Sequence, residues 1–197
     1  MNPVEPAVDT PPTRPPDART RRWSRPGRRA LAVLATLLAL TAAYTAWANT
    51  HPTTLRASIE IRATPEEVWQ VLTDLPAYEE WNPFITSARG TVARHASLTL
   101  LMHDRTGDTT FTPVVEVAER GRELRWLGKL GPGWIADGRH RFTIEPLGGG
   151  RVRLTQSESF TGVAVPFYRG TLRSATLPQF RALNKALAER VTTLRTR

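Results

Sequence analysis

Hydrophobic and polar positions divide this chain into three stretches with different patterns. Residues 1 to 29 hold seven prolines and almost nothing to bury, the composition of a solvated, partly extended tail. Ala30 to Ala48, ALAVLATLLALTAAYTAWA, contains no charge over 19 residues; as a helix it would be about 28 Å long and would just cross a hydrocarbon core. From about Thr54 to Arg197 the pattern becomes that of a folded domain, with helical spacing at two places and alternation of period two between them.

The domain opens on its best-specified segment. Ser58 to Arg62 forms a first strand, and Thr64-Pro65-Glu66-Glu67 follows. Thr64 and Glu67 have the spacing of a capping box, and Pro65 occupies the first helical position, where its missing N–H costs nothing. Val68, Trp69 and Leu72 share one side of the turns that follow, Asp74-Leu75-Pro76 stops and restarts the helix, and Trp81-Asn82-Pro83 turns the chain into an extended run. Further strands are predicted over Phe84 to Gly90, Ser97 to His103, Thr109 to Ala118, Glu123 to Gly128, Trp134 to Glu145 and Arg151 to Gly162. Turn residues separate them, including Gly107, Gly121, Gly131-Pro132-Gly133 and Gly148-Gly149-Gly150. With the first strand this makes seven. At the end of the chain Phe180, Leu183, Leu187, Val191 and Leu194 recur at helical steps and predict a buried stripe. Pro178 predicts either a kink or a helix start near Thr176.

The order strand, helix, helix, strand over residues 58 to 90 resembles the opening of the SRPBCC or START-like superfamily, in particular its polyketide cyclase/dehydrase and lipid-transport branch. Further matching segments are Gly138-x-His140-x-Phe142, Glu158-Ser159-Phe160-Thr161-Gly162 and Phe180 to Leu187. The resemblance covers nearly all of residues 55 to 195. It implies an α+β helix-grip fold: a seven-stranded antiparallel sheet wrapped around a long C-terminal helix, two short helices after the first strand, and here a single transmembrane helix in front.

A curved sheet around one helix leaves a concave, mostly apolar space, the usual place for a small ligand. Setting Leu98, Leu100, Met102, Phe111, Val115, Val117, Leu124 and Trp126 on the inner face fixes the parity of the last two strands, so His140, Phe142 and Ile144 point inward. A hairpin closing around the three glycines sets Ile144 opposite Val152, Phe142 opposite Leu154 and His140 opposite Gln156, with Glu158 diagonal to His140. The candidate ligand-binding set is Leu100, Met102, Phe111, Val115, Trp126, His140, Phe142, Gln156, Glu158, Phe160, Phe180 and Leu183. Among Trp69, Trp81, Trp126 and Trp134, Trp126 is the preferred ligand contact.

The resemblance implies a domain that binds or transfers a hydrophobic small molecule, a lipid or polyketide-like compound. A second expectation is a cyclase/aromatase or dehydrase in which His140 and Glu158 act as acid and base. The competing account of His140, Gln156 and Glu158 is mutual satisfaction of buried polar atoms. A third expectation is a partner-binding module acting through the Pro-rich tail.

Charge narrows these choices. The net +9 is shared between the tail, with seven Arg against three acids, and residues 49 to 197, where 20 basic residues face 15 acids; only Lys129 and Lys185 are lysine. That excess does not call for a nucleic-acid partner. Cysteine is absent, and His51, His95, His103 and His140 show no paired spacing, so neither a metal nor a cofactor is expected. No Gly-rich phosphate loop precedes a helix. Arg21, Arg22, Arg25, Arg28 and Arg29 precede the apolar run, and no basic residue follows until Arg56. This places the N-terminus in the cytoplasm and the domain outside. The expected organisation is therefore a disordered tail over 1–29, a signal anchor over 30–48 and a ligand-binding domain over 54–197. Ala46-Trp47-Ala48 also fits a cleavage site, which gives the alternative of an exported domain released near Ala48.

Overall fold

The computed structural model describes residues 25–104, 107–130 and 132–196. Residues 1–24 of the tail expected over 1–29 lie outside them, as does Gly131 of the predicted turn, and residues 25–29 belong to a helix. The chain divides into two compact units, Met1–Leu40 and Thr41–Arg197.

Helix α1, Arg25–Thr50, is longer than the uncharged run that predicted it. Its segment Gly27–Thr50 has a mean hydropathy of 1.8 and is long and apolar enough to cross a membrane. None of that apolar window is buried, so it is not a core helix of this chain. Leu34, Leu38 and Leu40 expose more than half of their surface.

The second unit holds β1 (Thr53–Ile61), α2 (Pro65–Thr73), α3 (Tyr78–Trp81), β2 (Ile85–Gly90), β3 (Leu98–Asp104), β4 (Gly107–Phe111), β5 (Val114–Glu119), β6 (Glu123–Leu130), β7 (Ala136–Gly148), β8 (Arg151–Thr161) and α4 (Val165–Arg195). The strands form two antiparallel sheets, β1-β8-β7-β6-β5 and β2-β3-β4, eight strands rather than seven. The extra strand arises at Pro113, which splits the stretch predicted as one strand over Thr109 to Ala118. Proline has no N–H for a ladder, and here the chain passes from one sheet to the other. Leu98 N–H donates to the Pro113 carbonyl at 2.9 Å and Val115 N–H to the Ala96 carbonyl at 2.9 Å, so the sheets stay joined at this corner.

Local chemistry accounts for the opening elements. Thr64 caps α2: Glu67 N–H donates to its hydroxyl at 3.3 Å, and its own N–H donates to Glu67 Oε2 at 2.7 Å. Asn82 starts β2 by accepting from the Phe84 and Ile85 N–H groups at 3.0 and 2.9 Å, an Asx turn. Tyr78 is buried between these elements with its phenol donating to the Leu72 carbonyl at 2.7 Å, and burial pushes its pKa well above the usual range.

The Thr64 N–H, followed by its hydroxyl and Arg195, holds the Glu67 carboxyl below its ordinary range, against a smaller desolvation effect. A folded value below the unfolded one means that this contribution is complete above the ordinary glutamate range and is lost as pH falls through the lowered value. Thr64→Ala is expected to destabilise the domain by about 1 kcal/mol at neutral pH. The gap from the parent should narrow in acid, as read by denaturant melts at pH 7 and pH 3.5.

The core lies between the larger sheet, α2 and the C-terminal half of α4, where Val68, Leu72, Leu98, Val115, Leu124, Val152, Leu154 and Leu187 are completely buried. On α4, Phe180, Leu183, Leu187 and Val191 are buried as predicted, but Leu194 is 45% exposed. The last turn is held by charge instead: Arg195 pairs with Glu67 at 3.2 Å and bonds the Arg62 carbonyl. The helix neither starts at Thr176 nor breaks at Pro178; it begins eleven residues before Thr176, at Val165, and runs through the proline. The carbonyl that Pro178 leaves without a donor belongs to Ser174, an exposed residue, so water can satisfy it.

Two further expectations are corrected. Val117 does not face the core: a bulge between Val115 and Val117 pairs Val117 with Arg125 and puts Ala118 opposite buried Leu124. The β7–β8 register is shifted as well. Gly148 pairs with Arg151 across a two-residue turn of Gly149 and Gly150, both at positive φ, and a further irregularity lies between Pro146 and Gly148. Ile144 therefore opposes Leu154, Phe142 opposes Gln156 and His140 opposes Glu158 directly. The shift of two residues leaves every inward side chain on its predicted face.

Candidate ligand cavity

A cavity of about 370 Å³ lies between the two sheets and α4. Its volume is near the lower end for small-molecule sites. Leu100 and Met102 of β3, Phe111 of β4 and Trp126 of β6 form one part of its wall. His140 and Phe142 of β7 and Gln156, Glu158 and Phe160 of β8 form the next, and Phe180 and Leu183 of α4 close it. Val115, the remaining residue of the predicted set, sits in the core beneath and does not reach the cavity. Trp69 is also a core residue, Trp81 packs edge-on against Tyr78, and Trp134 is 58% exposed.

The polar groups of the wall form one cluster. The Gln156 amide nitrogen lies 2.9 Å from His140 Nε2, and Glu158 Oε2 lies 3.3 Å from His140 Nδ1. With the amide donating, the imidazole carries its proton on Nδ1 and donates to Glu158. The imidazole is also boxed by aromatic rings: it stacks on Trp126 with centroids 5.0 Å apart and planes 9° apart, and meets Phe180 edge-on at 5.1 Å. Both ring nitrogens are thus engaged, and one face is covered by Trp126. Among the described residues Glu158 has this one side-chain bond, and 19% of its side chain remains exposed.

Gly138 makes room for that carboxylate. A Cβ there would run into Glu158 Oε1 and touch the Phe160 ring at 3.6 Å. Any side chain at position 138 would force that carboxylate oxygen to shift. This gives the spacing Gly138-x-His140 a physical reason that the sequence pattern alone did not supply.

The sequence reading missed part of the wall: Leu172, Ala175, Thr176 and Gln179 of α4, with Phe84, Thr109 and Asp137 from elsewhere. The signal for the α4 group was present, since 172, 175, 176 and 179 follow helical spacing and continue into Phe180 and Leu183. It was hidden because Pro178 predicts a kink or a helix start near Thr176, and because alanine, threonine and glutamine do not read as an apolar stripe. Among the described residues no group of three or more His, Asp or Glu is placed to hold a metal ion.

Several solved structures resemble this chain in fold. An aromatase/cyclase, ZhuI from Streptomyces sp. R1128, superposes with a TM-score of 0.61 at 15% identity, over 75% of this chain and 97% of its own. A START superfamily protein from Mycobacterium smegmatis gives 0.57 at 23% identity, over 72% and 98%. A norcoclaurine synthase point mutant from Thalictrum flavum, bound to a transition-state analogue, gives 0.59 at 10% identity, over 74% and 97%. At these identities the likeness is one of fold. A comparison with curated proteins gives no match. Residues 35–192 match the family described as polyketide cyclase/dehydrase and lipid transport, and with the helix-grip architecture in place this chain belongs to that family.

Proposed function

We propose that this protein binds an apolar small molecule bearing one hydrogen-bond donor, a lipid or polyketide-like compound, and holds it beneath α4 beside a membrane to which α1 anchors it. The observation that carries the reading is the composition of the cavity wall. It is apolar apart from a few polar groups, and its one imidazole–carboxylate cluster leaves Glu158 with a single bond and part of its surface open. A carboxylate in such a wall is costly unless paired, and a hydroxyl or amine of the guest completes its bonding. The five arginines that precede the uncharged run of α1 and the absence of a basic residue between that run and Arg56 support an orientation with the domain outside the cytoplasm.

Binding is favoured over turnover by the state of His140. A general acid or base needs a ring nitrogen within reach of the substrate, and here both are taken by Gln156 and Glu158. A cyclase or dehydrase reaction would require His140 to give up one of these bonds.

The test uses the full chain and a naphthyl-tagged fatty alcohol, with its methyl ether as the control. The alcohol is expected to bind about tenfold more tightly than the ether, the worth of one hydrogen bond to a charged group. Glu158→Leu should erase that preference while the melting curve stays cooperative. Equal affinity of the two probes for the parent would remove Glu158 from the site, and chemical conversion of the probe would favour the enzyme reading.

A further inference from the structure

The reading of Gly27–Thr50 as a membrane span, on which this inference rests, has a consequence for the surface around its C-terminal end. Tyr44 lies in the last two turns of α1. Its phenol donates to the Val163 carbonyl at 2.7 Å, and its ring meets that of Phe167 at 6.3 Å. Val163 and Ala164 in turn donate to the Trp134 and Ile135 carbonyls at 3.0 and 3.2 Å. The segment before β7 and the first turn of α4 are therefore tied to the end of the span.

This same corner carries the most exposed aromatic side chains of the second unit among the described residues. Phe167 is 77% exposed, Tyr168 60% and Trp134 58%. Scattered apolar side chains on a surface need no explanation, but an aromatic group gathered at one end does. The charge that α4 brings to it is one-sided: no acidic residue occurs between Glu158 and Glu189, whereas Arg169 and Arg173 follow the aromatic pair on α4, both exposed; Asp137 is the acidic residue nearest Trp134 in sequence. Aromatic rings beside arginines suit the headgroup layer of a bilayer carrying anionic lipid. If Tyr44 and Trp47 sit at the interface, Phe167 must share their depth, because its ring touches that of Tyr44.

We infer that Trp134, Phe167 and Tyr168 form an aromatic rim seated in the headgroup layer, with Arg169 and Arg173 against anionic phosphates. The cavity wall reaches this end of the domain through Ala136, Gly138 and Leu172, so the rim sets one end of the ligand cavity against the lipid surface. A guest dissolved in the bilayer then has a short path to the cavity.

The absence of cysteine allows single nitroxide labels on the full chain, reconstituted into vesicles of phosphatidylcholine and phosphatidylglycerol. Labels at Trp134→Cys, Phe167→Cys and Tyr168→Cys report on the rim. Leu38→Cys reports on the span, and Arg151→Cys on the far end of β7 and β8, about 40 Å away at the usual strand rise. Collision rates with oxygen and with a water-soluble nickel complex place each label in depth. The expected result is lipid-like accessibility at 38, interfacial accessibility at 134, 167 and 168, and full water exposure at 151. Water exposure at all three rim positions with 38 in lipid would overturn the rim alone; water exposure at 38 would overturn the span and the rim together. Tyr168→Cys leaves the Tyr44–Phe167 contact intact, so a local disturbance at 167 cannot decide the outcome.

Discussion

Leu187→Ala is expected to cost about 3 kcal/mol of folding stability, within the range for leucine truncation in a close-packed core. Leu187 is completely buried at the middle of the apolar stripe of α4, between Leu183 and Val191, in one cluster with Val68, Leu72, Val152 and Leu154. Both α2 and the β1-β8 edge of the larger sheet pack against α4, and Leu187 belongs to the core cluster that these elements share. Loss of its methyl groups leaves a void that none of them can close without moving the others. Leu194→Ala provides the internal comparison. It removes the same atoms from the same helix one turn beyond Val191, at a position 45% exposed, and should change stability by less than about 0.5 kcal/mol. Denaturant melts of the full chain in detergent, followed by near-ultraviolet circular dichroism, measure both. Equal effects would contradict the packing of α4 described here.

The second large effect concerns the cavity. Met102 of β3 and Thr176 of α4 line it from the sheet and from the helix. Met102→Trp combined with Thr176→Trp should narrow a space of about 370 Å³ substantially from two sides. Enlarging side chains in a solid core costs about 1–3 kcal/mol each, but here the added rings enter unoccupied volume. The double variant is therefore expected to fold with little loss of stability and to lose at least about tenfold in affinity for an apolar guest, equivalent to about 1.4 kcal/mol. A collapse of folding would instead mean that this region is packed core. Retained affinity would mean that the guest binds elsewhere.

The sequence disclosed what local rules govern. The Thr64–Glu67 capping box, the inward parity of Leu100, Met102, His140 and Phe142, and the buried faces of Phe180, Leu183, Leu187 and Val191 all follow from spacing. Where the prediction departed from the structure, a single residue altered a regular pattern. Pro113 cut one strand into two and transferred the chain between sheets. The bulge before Val117 reversed its side. The turn at Gly149-Gly150 moved the hairpin register by two, which changed His140's partner from Gln156 to Glu158 without changing its direction. Pro178 predicts a kink or a helix start, an expectation that concealed the helical group from Leu172 to Gln179, but the carbonyl it leaves without a donor belongs to exposed Ser174 and the helix runs on. Asn184 was missed for a different reason. It is a polar residue on the buried face of α4, held by a 3.3 Å bond to the Ala57 carbonyl, and only tertiary structure reveals that partner.

The account depends on the space beneath α4 being a binding site. The most direct test is to purify the full parent chain and the Met102→Trp, Thr176→Trp variant side by side in mild detergent, extract each with organic solvent, and quantify by mass spectrometry the compounds bound per protein. The account predicts an apolar compound bearing a hydroxyl or amine, near one equivalent in the parent and depleted in the folded variant. Equal amounts in both, or none in either after incubation with a total lipid extract, would contradict it.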